Sequence, residues 1–398
     1  MLIISLMPRV KRRLNMWCGI SACMMVSLIW RKSRAMWILN LSIIALYMSM
    51  NAKLACALSP LGRKMSNKTK ILLICLALIV LALGFIIAIG IGRYEISLTH
   101  IYSLLRSYGN GEYSLESVIL FENRLPRICA AILVGASLAL SGGLYQGIIA
   151  NPLVSPSILG VMSGASFGAA LAMVLGFGLF GIEVMCFCFG ILAMLCSLLL
   201  ARLFSNSMSI LMLILGGMIT SAFFGAGMSI LKYVADPYNT LPNIVFWLMG
   251  SLASIQLGPL VLLAVVFVAG LIFAIIGARH IDILNLDEQS AYALGVNVKA
   301  LRVGFVIMAT LLASASVAVG GLIGWVGLVV PHIARLIIGA NHRFMLPFCA
   351  IFGAIFLLLC DCIARASFGV EIPIGLVSAI IGIPIFVLIL MQKVRYER

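Results

Sequence analysis

A run of fifty-five residues without a charge, 128–182, sets the first limit on what this chain can become. A helix of about 20 apolar residues crosses the hydrocarbon core of a bilayer. The run is too long for one span and is read as two, broken at Asn151-Pro152 and Ser155-Pro156, since proline withholds a backbone donor and stops a helix. Further uncharged stretches lie at 71–92, 184–201, about 210–231, 257–278, 303–334, 344–364 and 372–392. The stretch 303–334 is interrupted by Gly320-Gly321, Gly324 and Pro331, so it is split into one span ending near Gly321 and another continuing toward Ile338. The expected fold class is an all-α polytopic membrane protein with ten transmembrane helices from residue 71 onward.

Composition closes the other routes. Only 10% of the 398 residues are charged and 63% are hydrophobic, whereas a soluble domain carries about 25% charged residues. Disorder demands low hydrophobicity and high charge. A membrane β-barrel alternates apolar and polar residues in short segments. The net charge of +15 suggests a nucleic-acid partner until its placement is examined. Residues 1–64 hold ten Lys or Arg and no acid, and residues 65–398 hold 17 basic and 12 acidic residues. Lys and Arg are retained on the cytoplasmic side, so the imbalance speaks of topology and no nucleic acid is expected. Placing both ends of 65–398 in the cytoplasm puts eleven basic residues inside and six outside, which favours that orientation. The segment 233–256 reads as a loop and a short interfacial helix, with Tyr238 and Trp247 suited to the headgroup region.

Residues 1–64 form an N-terminal extension with two short apolar runs, 14–30 and 35–52, around Arg31-Lys32-Ser33-Arg34. Extra spans, a signal segment and an upstream stretch without function are the three readings. Met65 begins the region 65–398, taken as one membrane domain.

Chemistry is scarce within the spans. Asp361 and Arg365 lie four apart near the outer end of one span, where a local ion pair is allowed. An ion-gradient-driven carrier places carboxylates at membrane depth, and this chain lacks that set. No phosphate-cradling G-x-x-x-x-G-K-[ST] loop occurs. Leu140-Ser141-Gly142-Gly143 resembles the start of an ATPase signature, but within an uncharged run its small residues serve close helix approach. The eleven cysteines sit mostly in apolar runs and behave as small hydrophobes, so no disulfide framework, metal site or cofactor is expected. The four histidines have no carboxylate-rich neighbourhood in sequence. Two polar segments stand out. In 279–302, Asp287 and Glu288 open a short helix, Leu286, Ala291 and Leu294 share one side, and Gly295 ends it. Such an amphipathic helix either docks a partner or rests on the membrane interface. In Asn123–Arg127, two arginines at the mouth of a span suit carboxylates on a partner or lipid phosphates.

Together these residues carry a resemblance. Asn123–Arg127 before an Ala/Gly/Ser-rich span, Asn151-Pro152-Leu153, Ile158-Leu159-Gly160, LDEQSAYALGV at 286–296, Gly327–Arg335, Asn341-His342-Arg343, and Asp361, Arg365 and Glu371–Gly375 look like the iron-siderophore/cobalamin-type ABC importer permease family. The likeness implies a permease subunit that forms the pathway and is not itself an enzyme, in the bacterial cytoplasmic (inner) membrane. It further implies a second permease subunit (homo- or heterodimer), two cytoplasmic ABC ATPase subunits and an extracytoplasmic substrate-binding protein. The expected cargo is an iron chelate, with a ferric siderophore ahead of haem or cobalamin. By motif, Arg124, Arg127 and Arg365 become docking residues for the binding protein. Leu286, Asp287, Glu288, Ala291, Leu294, Gly295 and Val296 become the coupling helix, and Asn151, Pro152 and Leu153 the cytoplasmic gate. Apart from the family, Ala136–Leu144 is echoed by Ala315–Leu322 in spans of opposite direction, as in an inverted-repeat bundle. The alternative is a stand-alone ion-gradient-driven carrier or a polytopic membrane enzyme.

Overall fold

The structure is a computed structural model that describes residues 65–92, 101, 114–204, 210–255, 257–285, 291, 297–366 and 371–396. The N-terminal extension 1–64 lies outside the described residues. Helices account for the architecture, and no strand occurs among the described residues. In chain order they are α1 (Asn67–Gly90), α2 (Leu115–Ile149), α3 (Val161–Val174), α4 (Leu179–Phe204), α5 (Ile210–Val234), α6 (Thr240–Leu248), α7 (Leu257–Leu284), α8 (Val298–Gly320), α9 (Val326–Ile338), α10 (His342–Ala366) and α11 (Ile374–Tyr396).

Seven of these, α1, α2, α4, α5, α7, α8 and α10, are long and apolar enough to cross a membrane. The other three expected spans are shorter: α3, α9 and the apolar part of α11, 374–389. At 14 residues α3 rises about 21 Å, less than the roughly 30 Å of hydrocarbon. Its ends are set by glycines with positive φ, Gly160 (75°) before it and Gly176 (74°) after it. The expected interfacial helix is α6. Tyr238 ahead of it is 93% exposed, but Trp247 packs on a small core cluster with Met162, Ala165 and Val317, so only the tyrosine projects freely.

The bundle is organised around α2, most of which is buried. After a first α-turn, Leu115–Val118, comes a π turn, Ile119–Arg124, where the Leu125 N–H reaches back to the Leu120 carbonyl. Pro126 accounts for the widening, because it has no N–H and its ring crowds the preceding turn. Against α2, α8 runs antiparallel: Ser141 Oγ donates to Ala309 O, and the Tyr145 hydroxyl lies 2.6 Å from Thr310 Oγ1. The small-residue string 136–144 and all but the last two residues of its echo, 315–322, therefore lie on two helices that pack together. Glycine lets other helices approach α2 more closely still. A Cβ on Gly142 would stand 1.8 Å from Gly327 O in α9, and one on Gly135 would stand 2.4 Å from Gly353 O in α10. The Ser141-Gly142-Gly143 string is thus a helix-packing element, as small residues in membrane helices usually are. Parallel to α10 runs α1, mostly exposed, with Lys70 Nζ 5.4 Å from the centre of the Phe344 ring. A second group, α3, α4 and α5, packs together around Phe167, Phe189 and Phe224.

Candidate functional site

Two regions at opposite ends of α2 gather the polar chemistry. At the first, the three arginines singled out in the sequence come together. Arg127 sits in the first α-turn after the π turn and uses both edges of its guanidinium: Nε donates to Asp361 Oδ1 and Nη1 to Glu371 Oε1, each at 2.8 Å. Arg365, one helical turn beyond Asp361 on α10, places Nε 2.9 Å from Asp361 Oδ2. Asp361 is wholly buried and tolerates it because two cations share its carboxylate. The local ion pair expected from the i, i+4 spacing is present, and Arg127 joins it.

These arginines also close the end of α1. The last carbonyls of a helix lack intrahelical donors. Here Arg124 Nη1 donates to Ile89 O at 2.6 Å, and Arg365 Nη1 donates to Ile91 O at 3.1 Å. Gly92 leaves room for this, since a Cβ there would stand 2.4 Å from Arg124 Nη2. All three arginines are largely buried rather than projecting from a surface: Arg124 and Arg365 are 6% and 7% exposed, and the Arg127 side chain 11%. Glu371 falls within a motif that assigns it no role by sequence, and the α1 carbonyls, 35 and 274 residues from the arginines that cap them, leave no signal in the sequence.

At the other end of α2 the chain turns through Ala150, the one described non-glycine residue with positive φ (53°). The expected gate residues Asn151, Pro152 and Leu153 follow as an exposed Asx turn, in which the Leu153 N–H donates to Asn151 Oδ1 at 2.9 Å. Behind the turn stands Gln146, a residue the sequence reading did not single out. Its Nε2 donates to Val154 O and to Leu328 O in α9, both at 3.2 Å, so one buried amide ties the turn to two helices. Its Oε1 has no hydrogen-bond partner among the described residues. The next residue, Gly147, gives space to Ile281 of α7 and to His342, which opens α10. His342 Nδ1 lies 2.5 Å from Asp282 Oδ1. This pair, sixty residues apart, gives one of the four histidines the carboxylate neighbour that its sequence surroundings lack.

The short amphipathic segment is described at one residue, Ala291, which is helical and buried. Leu286, Asp287, Glu288, Leu294, Gly295 and Val296 lie outside the described residues. The segment starts directly after α7, whose last turn carries Asp282.

The FecCD transport family matches residues 78–392. The molybdate import system permease protein MolB of Haemophilus influenzae is 42% identical over 315 residues, covering 77% of this chain and 92% of that protein. An iron chelatin transport system permease protein of Helicobacter pylori is 36% identical over 283 residues, covering 71% and 85%. Among solved structures, a metal-chelate type ABC transporter in an inward-facing conformation aligns with a TM-score of 0.72 at 40% identity, covering 81% of this chain and 99% of that one.

Proposed function

Because the chain belongs to the FecCD transport family, and is thereby an ABC transporter permease, we propose that it forms the pathway of an ATP-driven importer for an iron chelate. What supports the cargo class is the 36% identity with the iron chelatin permease of Helicobacter pylori, which this chain covers to 85% of its length. In this reading the chain performs no hydrolysis. Partner ATPase subunits close on ATP and push on the segment 286–296. The push passes into α7, and the pathway alternates its access between the two sides.

The end carrying Arg124, Arg127 and Arg365 faces outward and receives the extracytoplasmic binding protein through acidic side chains on that partner. The end carrying Asn151, Pro152 and Leu153 faces the cytoplasm and gates the exit. The excess of basic residues assigned to that side supports the orientation. Fixing the gate turn falls to Gln146, and the Asp282–His342 pair joins the last turn of α7 to α10 beside Gly147. A second permease subunit completes the pathway across the exposed faces.

Uptake into cells expressing the whole system tests the proposal. A radiolabelled ferric siderophore accumulates with ATP and fails to do so in the Arg124→Glu/Arg127→Glu double variant, while the protein remains in the membrane. Unchanged uptake in that variant removes the docking assignment. A second reading, molybdate import, is favoured by the 42% identical relative. Accumulation of molybdate with no uptake of the iron chelate selects it.

A further inference from the structure

At the arginine end, Arg127 is held between two carboxylates, Asp361 and Glu371. The two carboxylates are held very differently. Asp361 is wholly buried, belongs to α10 and is gripped by two arginines. Glu371 lies outside a helix, three residues ahead of α11, and its side chain is 34% exposed. Arg127 spans both, with Nε on Asp361 and Nη1 on Glu371.

We infer that Glu371 is an exchangeable internal occupant of Arg127, and that a carboxylate of the binding protein takes its place at Nη1 on docking. The inference rests on the reading of Arg127 as a docking residue and says how a largely buried arginine can serve as one. A guanidinium has two edges able to hold carboxylates. Asp361 fixes one edge, so the other stays aimed whichever carboxylate occupies it. Exchange replaces one carboxylate with another on the same donor, and neither the buried Asp361 nor the α1 carbonyls lose their partners.

A purely structural role for Glu371, as a tether for the stretch leading into α11, makes the opposite prediction. Neutralising it would then loosen the surface and leave docking unchanged or weaker. The experiment uses the full chain assembled with its ATPase subunits in lipid nanodiscs. The probe is the purified substrate-binding protein of the same transport system, with association followed by surface plasmon resonance. Glu371→Gln and Glu371→Ala are each expected to bind the probe more tightly, by up to about fivefold, the scale of a partly exposed ion pair. The gain should appear mainly in the association rate and shrink as salt is raised. Glu371→Asp, which keeps the charge, stays near wild type. Unchanged or weaker binding by both neutral variants overturns the exchange, provided Arg124→Glu/Arg127→Glu abolishes binding. If that double variant still binds, the docking reading itself falls and the exchange falls with it.

Discussion

The residue that best separates packing from function is Gln146. Its amide donates to two carbonyls on different elements, yet its own oxygen is unmet in a buried setting. Leucine at this position removes both donated bonds and also removes the unmet acceptor, so the two effects partly cancel. The expected loss of stability is about 1 kcal/mol, the low end for stranding buried partners. The turn it holds should respond more strongly than the fold. A cysteine placed at Leu153 in a Gln146→Leu background should react faster with a membrane-impermeant thiol reagent in the absence of ATP than the same cysteine alone. Equal rates would show that the turn is fixed without Gln146. The sequence pointed to the three arginines through motif and spacing, and to Asp361–Arg365 through the helical period. It pointed to neither Gln146 nor the Asp282–His342 pair. A neutral amide in a fifty-five-residue uncharged run looks like any polar packing residue, and sixty intervening residues hide the histidine's partner.

Among elements, closeness of approach decides which substitutions matter. A Cβ on Gly142 would fall 1.8 Å from the Gly327 carbonyl oxygen, so Gly142→Ala must push α2 and α9 apart. Gly225 in α5 has nothing within 4 Å, and alanine there replaces a poor helix former with a good one. Gly142→Ala should lower the melting temperature of the detergent-solubilised protein and abolish uptake. Gly225→Ala should leave uptake intact and stabilise by up to about 1 kcal/mol. Matching effects in the two variants would contradict this account of α2. The long helices were readable because length and lack of charge suffice to mark a span. The lengths of α3 and α9 were not. Apolar composition continues through the turns that end α3, and it carries no mark of a glycine at positive φ. Proline is read as a stop at 152 and 156 and as an interruption at 331, yet Pro331 sits inside α9 and Pro347 inside α10, each only five residues from the first residue of its helix, so few carbonyls precede it to clash.

At the scale of the whole molecule, the proposed orientation has a direct check. Cysteines introduced at Tyr238 and at Leu153, both strongly exposed, should label from opposite faces of intact cells and inside-out vesicles, with 238 outside. Labelling of both from one face would refute the topology that the count of basic residues supports. The repeated small-residue strings announced that spans would meet tightly, and the structure identifies α9 and α10 as the helices in backbone contact with α2. That contact has a mechanical meaning. Helices seated glycine against carbonyl have little freedom to slide, because a shift along the axis brings a Cβ to a place that accepts only hydrogen. The freedom that remains is to tilt together. At 35 residues, α2 is a rod about 50 Å long. A tilt of about 5° about the gate end would carry Arg127, roughly 33 Å away, by about 3 Å, as far as the 2.8 Å that joins it to Glu371, which lies outside the tilting helices. A stroke too small to see at the gate turn is therefore large enough to break or make an ion pair at the far end of the same rod.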